Sequence, residues 1–207
     1  MKVEIFSDVA CPFCYIGMAN FEDALASFPD RDEVEVTWRS FQLNPEMPAL
    51  VEGDIYDYLA SKFGVSRDEA RGMNDRVLAS AHGAGLDMNF DAVRPANTFD
   101  AHRLLHLAEE VGRADEMARV LFDGYFNAGA DLADPDDLLS LAVRAGLGTD
   151  EAAEVIRGDR FASEVEADRE LSASMGISAV PTFVIDRKLG VQGAQPPEVL
   201  LGALTQG

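Results

Sequence analysis

The spacing of apolar residues changes period along this chain, and each change marks an element. Residues 1–9 hold Val3, Ile5 and Val9 in a β-rich run and predict a strand. Beyond it Ile16, Met18, Phe21, Leu25 and Phe28 recur at roughly helical spacing, with Asn20, Glu22 and Asp23 between them. That pattern predicts an amphipathic helix ending before Pro29. Residues 33–41 alternate strictly: Val34, Val36, Trp38 and Ser40 fall on one face, and Glu33, Glu35, Thr37, Arg39 and Phe41 on the other. They predict a second strand with Trp38 in the core. Two strands joined by one helix form a parallel βαβ unit.

From about 45 to 176 only helical patterns occur. Asp54 precedes Ile55, Tyr58, Leu59 and Phe63; Ser66 and Glu69 have capping-box spacing and open a helix to about Gly83. Asn97 is positioned to cap a helix carrying Phe99, His102, Leu105 and Val111, and a further helix is expected over 114–128. Asp134-Pro135 opens another, Thr149 the next, and a last one spans about 159–175 before Gly176. Strand signals then return. Val180-Pro181-Thr182-Phe183-Val184-Ile185 is a strand opened by proline, Asp186–Leu189 a polar turn, and 190–194 a short partner strand. Pro196-Pro197 starts a closing helix with Val199, Leu200 and Leu204. An isolated hairpin is marginal, so strands from both ends are expected to share one sheet. The expectation is an α/β chain in which 1–44 and 177–207 form one discontinuous domain, βαβ…ββα, interrupted by an all-helical insertion over 45–176.

Composition narrows the function classes. Seventeen Lys and Arg against 37 Asp and Glu give a net charge of −20 over 207 residues. Such a surface repels phosphate backbones and anionic membranes, so no nucleic-acid or membrane partner is expected. The acidity fits a well-solvated surface; adaptation to high salt or steering of a cationic substrate are the alternatives. No apolar run approaches the roughly 20 residues of a membrane-spanning helix, and no apolar signal core follows the N-terminus. The expectation is a complete chain working in the cytoplasm; its oligomeric state is left open.

The candidate chemistry lies in Cys11 and Cys14, the only two cysteines. A reducing compartment does not maintain structural disulfides, and so short a loop would constrain the unfolded chain little. A zinc site needs further ligands, and His82, His102 and His106 show no spacing that converges on the pair, so no metal is expected. An inert buried pair is the remaining alternative. The strand–CPFC–helix context fits redox chemistry better. At the helix start, Cys11 meets unpaired backbone N–H groups and the positive end of the dipole, which favour a reactive thiolate. Cys14, one turn on, is placed to resolve a mixed disulfide. Pro12 suits the first helical position. Neither Pro12 nor Phe13 supplies a cation or donor, which points to a couple between the reducing and strongly oxidising extremes. A cis Pro181 would bring the backbone of Val180 beside Cys11, where an extended substrate segment could pair with it.

Cys11-Pro12-Phe13-Cys14-Tyr15-Ile16-Gly17, preceded by Ser7-Asp8, resembles the cytoplasmic DsbA-like thioredoxin-fold proteins often described as polyketide-biosynthesis-type dithiol–disulfide isomerases. Their relatives include 2-hydroxychromene-2-carboxylate isomerases and kappa-class glutathione transferases. The resemblance continues at Asn97-Thr98 and Ala101–Leu104, at Leu121-Phe122, Tyr125-Phe126, Gly129 and Leu132, at Gly176–Phe183 and at Gly193–Pro196. It implies a thioredoxin fold with a helical insertion, a cis Val180–Pro181 bond, and Cys11 as the attacking thiol. Phe13 stands where this family often has Trp. The isomerase and transferase relatives commonly carry Ser in place of Cys11 and act with glutathione, so an intact pair favours disulfide chemistry.

The expected activity is therefore a thiol–disulfide reductase or isomerase. Its substrates would be disulfide-bearing proteins or small molecules, with no bound cofactor and glutathione or another thiol as co-substrate. Two rivals stand beside it: a glutathione-dependent isomerase or transferase, and a holdase-like chaperone using the interdomain cleft. His102 is a candidate for the cleft over Cys11 or an ordinary helical histidine. Asn97 is a candidate ligand contact or an ordinary N-cap. Phe90, Phe99 and Tyr125 are expected in the core rather than the cleft.

Overall fold

The structure, a computed structural model, describes residues 1–48 and 51–207. β1 (Lys2–Ser7) leads into α1 (Pro12–Ser27) and then β2 (Glu35–Ser40), which pairs parallel to β1 with Ile5 beside Trp38. β3 (Thr182–Ile185) returns antiparallel on the other edge of β1, with Ile5 beside Phe183. β4 (Leu189–Gln192) closes a hairpin with β3, and the sheet order is β2-β1-β3-β4. The hairpin turn holds Asp186 and Arg187 at φ 47 and 56, the left-handed pair that suits strand twist. α9 (Pro197–Leu204) follows and packs beside α1. This is a thioredoxin-like fold with a four-stranded mixed sheet, built from the two ends of the chain.

Between β2 and β3 the described residues form helices and turns: α2 (Ile55–Phe63), α3 (Arg67–Gly83), α4 (Phe99–Glu110), α5 (Ala114–Asp123), α6 (Pro135–Arg144), α7 (Thr149–Arg157) and α8 (Ala162–Ser174). Asp54 and Ser66 both form capping boxes, and Asp134 accepts from the amides of Asp136 and Asp137 ahead of Pro135. The strands are shorter than the pattern predicts, with β4 at Leu189–Gln192 rather than 190–194, and three helix boundaries also differ from the periodicity. The helix expected over 114–128 changes type: α5 ends at Asp123 and a π-helical turn spans Gly124–Ala128. A Cβ on Gly124 would stand 2.5 Å from Leu141 of α6, so this junction packs backbone against side chain. α8 begins at Ala162 because Phe161 sits at φ 66 and breaks the run. Thr98, not Asn97, holds the N-cap position of α4, although Asn97 Oδ1 does accept the Phe99 amide at 2.9 Å.

The helices are not a separate shell. Tyr15 of α1 stacks on Phe122 of α5 with centroids 5.2 Å apart, and Trp38 of β2 packs on Phe122 and donates through Nε1 to Asp115. On the opposite side of β2, Arg39 joins Glu4 of β1 at 2.6 Å to Asp168 of α8 at 3.1 Å. A continuous apolar cluster runs from Val3 and Phe183 in the sheet to Leu121, Phe126 and Leu141 among the helices. That continuity fixes where the helices sit over the head of α1.

Candidate active site

Cys11 occupies the N-cap position of α1 with extended backbone, φ −95 and ψ 111, and Pro12 takes the first helical position. The Cys11 amide donates to the Asp8 carbonyl at 3.0 Å, and the Cys11 carbonyl accepts the Cys14 amide at 3.0 Å. Both thiols are unbonded and buried. They differ in what surrounds them. Cys11 lines a cleft of about 520 Å³, together with Pro12 and Phe13. Cys14 lies behind it, 1 % exposed, and does not line that cleft. Burial, reinforced by the neighbouring Cys11 sulfur, pushes the Cys14 thiol well up; hydrogen bonds from the Ser7 side chain and the Asp8 amide offset only part of this. Cys14 therefore stays protonated at neutral pH, and the cysteine that faces the cleft is Cys11.

The Val180–Pro181 peptide is cis, and the Cys11 thiol donates to the Val180 carbonyl at 3.7 Å. Gly17 makes this approach possible. A Cβ there would lie 2.7 Å from Cγ of Pro181, so only glycine lets α1 meet the proline ring this closely. Ser178, Ala179 and Val180 then form one wall of the cleft.

The opposite wall comes from α2 and α3, with Ile55, Tyr58, Leu59, Lys62 and Phe63 on the first and Met73, Asn74, Arg76, Val77 and Ser80 on the second. Leu43 and Met47 complete an apolar lining. Phe13, Leu43 and Phe63, three of the large exposed apolar side chains, stand at the rim. Tyr125 also reaches the cleft, although the sequence placed it in the core alone; it is buried and carried there by the π turn. Burial, with the charge of Asp8 next, keeps its phenol protonated. Phe90 is a core residue packed edge-on to Phe126, whereas Phe99 is only half-buried and lines a separate groove.

Asp8 is a site residue that the sequence reading named only within Ser7-Asp8 ahead of Cys11 and gave no role of its own. Its Oδ2 accepts the Leu43 amide at 2.7 Å and its Oδ1 the Ala10 amide at 3.3 Å, which fixes the turn delivering Cys11. His102 Nε2 lies 3.4 Å from Oδ1 of Asp8, close but not aligned as a hydrogen bond. Burial alone would raise the Asp8 carboxyl, but His102, the Leu43 amide and the Thr98 side chain more than offset it and hold the group below the ordinary carboxylate range. His102 thus stands behind Asp8, fully buried, and does not line the cleft over Cys11. Asn97 is further away in function: it accepts from Gln42 at 3.1 Å and donates to the carbonyls of Met47 at 2.9 Å and Pro45 at 3.3 Å. Its polar atoms pin the 42–47 segment and line the outer groove rather than the cleft. Among the described residues no group of three or more His, Cys, Asp or Glu is arranged to hold a metal, and no helix is long and apolar enough to cross a membrane.

A dithiol at the head of the first helix, facing a cis-proline loop of a thioredoxin-like sheet, defines the class as thioredoxin-fold oxidoreductases. Within it, the chain belongs to the DSBA-like thioredoxin domain family, whose sequence pattern matches residues 2–205. It is similar to a probable DsbA oxidoreductase of Streptomyces coelicolor, with 44 % identity and a TM-score of 0.91, covering all of this chain and 89 % of that one. An uncharacterised protein of Bacillus subtilis is 27 % identical over 207 residues, 99 % of this chain and 96 % of its own. The cytosolic disulfide reductase DsbM of Pseudomonas aeruginosa shares the fold at 16 % identity, with a TM-score of 0.70 and coverage of 100 % and 98 %. That reductase has also been solved with glutathione.

Proposed function

We propose that this protein is a cytoplasmic dithiol reductase or isomerase acting on disulfides of proteins or small molecules, with glutathione or another thiol as co-substrate and no bound cofactor. The observation that carries the reading is the asymmetry of the pair: Cys11 meets the cleft beside the Val180 carbonyl, while Cys14 waits, buried and protonated, directly behind it. In the reductive direction the Cys11 thiolate attacks one sulfur of the substrate disulfide. The substrate S–S bond breaks, one substrate thiolate leaves, and a mixed disulfide forms on Cys11. Cys14 then gives up its proton and attacks Sγ of Cys11, releasing the second substrate thiol. The substrate gains two electrons and the enzyme is left as the Cys11–Cys14 disulfide. Two thiols such as glutathione restore the dithiol and become a disulfide themselves. Isomerisation uses the first step and its reversal at a different substrate sulfur. The cytoplasmic assignment fits a chain whose only cysteines are this pair.

The test is reduction of insulin disulfides by dithiothreitol, followed by turbidity. Wild type accelerates it, Cys11→Ser abolishes the acceleration, and Cys14→Ser accumulates a mixed disulfide visible by mass spectrometry under non-reducing conditions. Acceleration that survives Cys11→Ser would remove the proposal. Turnover of a non-disulfide substrate with glutathione that persists in Cys14→Ser would favour the transferase rival.

A further inference from the structure

The α2–α3 wall of the cleft carries three polar side chains that the exchange chemistry does not use. Asn74 is 5 % exposed, lines the cleft, and its Nδ2 has no hydrogen-bond partner among the described residues. A buried amide donor without an acceptor is costly, and native structures rarely leave one so unless something else satisfies it. Lys62 and Arg76 stand exposed on the same wall. In a chain of net charge −20, cations normally find carboxylates. On the same two helices Arg67 pairs with Asp54 and Asp57, and Arg71 lies 3.6 Å from Asp91. Lys62 and Arg76 have no carboxylate within ion-pair distance among the described residues. The Lys62 ammonium rests instead 5.5 Å from the centre of the Tyr58 ring and 5.9 Å from that of Phe63.

Helical geometry relates these groups. Met73, Val77 and Ser80 form one stripe of α3, and Asn74 and Arg76 flank it on either side. The α2–α3 wall therefore presents an apolar floor, one neutral amide at depth and two cations at its mouth, while the one carboxylate among the described residues that lines the cleft, Asp8, lies buried near the head of α1. The cleft volume of about 520 Å³ lies in the range of small-molecule sites.

We propose that this wall is an acid subsite, and that the preferred substrate is a small disulfide with an apolar or aromatic body bearing a carboxylate. The apolar body fills the space among Leu43, Met47, Leu59 and Val77. The carboxylate meets Lys62 and Arg76, and the Asn74 carboxamide, whose amino group is closed off from the unliganded cleft, turns that group to an acceptor atom of the ligand. Its sulfur then faces Cys11. The subsite rests on the exchange reading above for the last statement only; the recognition of an apolar acid stands without it.

Two measurements keep these apart. The first is the rate of reaction of the reduced protein with 5,5′-dithiobis(2-nitrobenzoate), a carboxylated aromatic disulfide, against uncharged 4,4′-dithiodipyridine. Relative to wild type, the ratio of the two rate constants is expected to fall about tenfold in a Lys62→Gln, Arg76→Gln double variant, as suits the loss of charge-assisted contacts. In Asn74→Leu it is expected to fall about threefold. The second is binding of 2-naphthoate against its neutral amide to the Cys11→Ser, Cys14→Ser double variant, which has no exchange chemistry. The acid is expected to bind several-fold more tightly, and Lys62→Gln with Arg76→Gln to erase that preference. Both substitutions are on exposed side chains, so folding is retained even if Asn74→Leu is unstable. Equal affinity for acid and amide, or a preference unchanged by the double substitution, overturns the subsite. Failure of both disulfides to react, with naphthoate selectivity intact, overturns the exchange reading and leaves the subsite standing.

Discussion

Asp8 is the residue on which the local geometry of Cys11 depends, since it accepts the Ala10 and Leu43 amides and contacts His102. Its carboxyl is held below the ordinary range in the folded chain, so the unfolded chain binds the proton more readily. The stabilisation it supplies is thus fully present above the unfolded value of about 3.9 and is lost as pH falls through the folded value. Asp8→Asn is expected to lower stability at pH 7 by about 2 kcal/mol, the worth of hydrogen bonds to a charged group. It is also expected to flatten the loss of stability between pH 5 and pH 3. Urea titrations of both proteins across that interval check this, and parallel pH profiles would show that Asp8 carries no such linkage.

At the scale of elements, β2 and α8 are joined by one buried carboxylate. Asp168 accepts the Ser40 amide at 2.9 Å and Arg39 Nη1 at 3.1 Å, and lies 3.3 Å from Nε2 of His106 on α4. Removing it leaves the buried Ser40 amide at the end of β2 without its acceptor and takes from Arg39 one of its two carboxylates, Glu4 being the other. Asp168→Ala is expected to cost about 3 kcal/mol, in keeping with loss of one member of a buried pair, measured as a lower urea midpoint at unchanged m-value. A loss below the value for a surface pair would show that Glu4, which also binds Arg39 at 2.6 Å, carries that edge alone. Arg103 plays a similar part at the end of α7, donating to the carbonyls of Val155, Gly158 at 2.6 Å and Arg160 at 2.9 Å. Val155 is in the last turn of α7, Gly158 is its C-cap and Arg160 lies in the turn that follows, and one buried guanidinium satisfies all three carbonyls.

Across the whole molecule the dominant physical fact is the net charge of −20. Carboxylates repel one another over distances that depend on salt: the screening length is about 30 Å at 10 mM and well under 10 Å at 0.5 M. Compact folding concentrates that repulsion. Raising sodium chloride from 10 mM to 0.5 M at pH 7 is expected to raise the melting temperature by about 3 °C, equivalent to roughly 1 kcal/mol for a chain of this size. Calorimetry at the two salt concentrations checks it; a falling melting temperature would mean that screened ion pairs outweigh the repulsion. The same charge balance makes an acid subsite at the cleft unusual enough to require its two cations.

Element types and the placement of the cysteine pair were legible in the sequence because they depend on neighbours along the chain. Alternation marked β2, helical spacing marked α1, and Cys11-Pro12-Phe13-Cys14 placed a thiol at a helix start. Asp54, Ser66 and Asp134 announced their helices because a capping side chain reaches only two or three residues ahead. The cleft was not legible in this way. Val180 meets Cys11 from 169 residues away, His102 stops behind Asp8 instead of reaching the cleft, and a π turn swings Tyr125 into it. Asn74 reads as one more polar residue of α3 until α2 and the cis-proline loop close around it. Local preferences fix dihedrals and periods; which side chains share a cavity follows only from how the packed elements enclose one another.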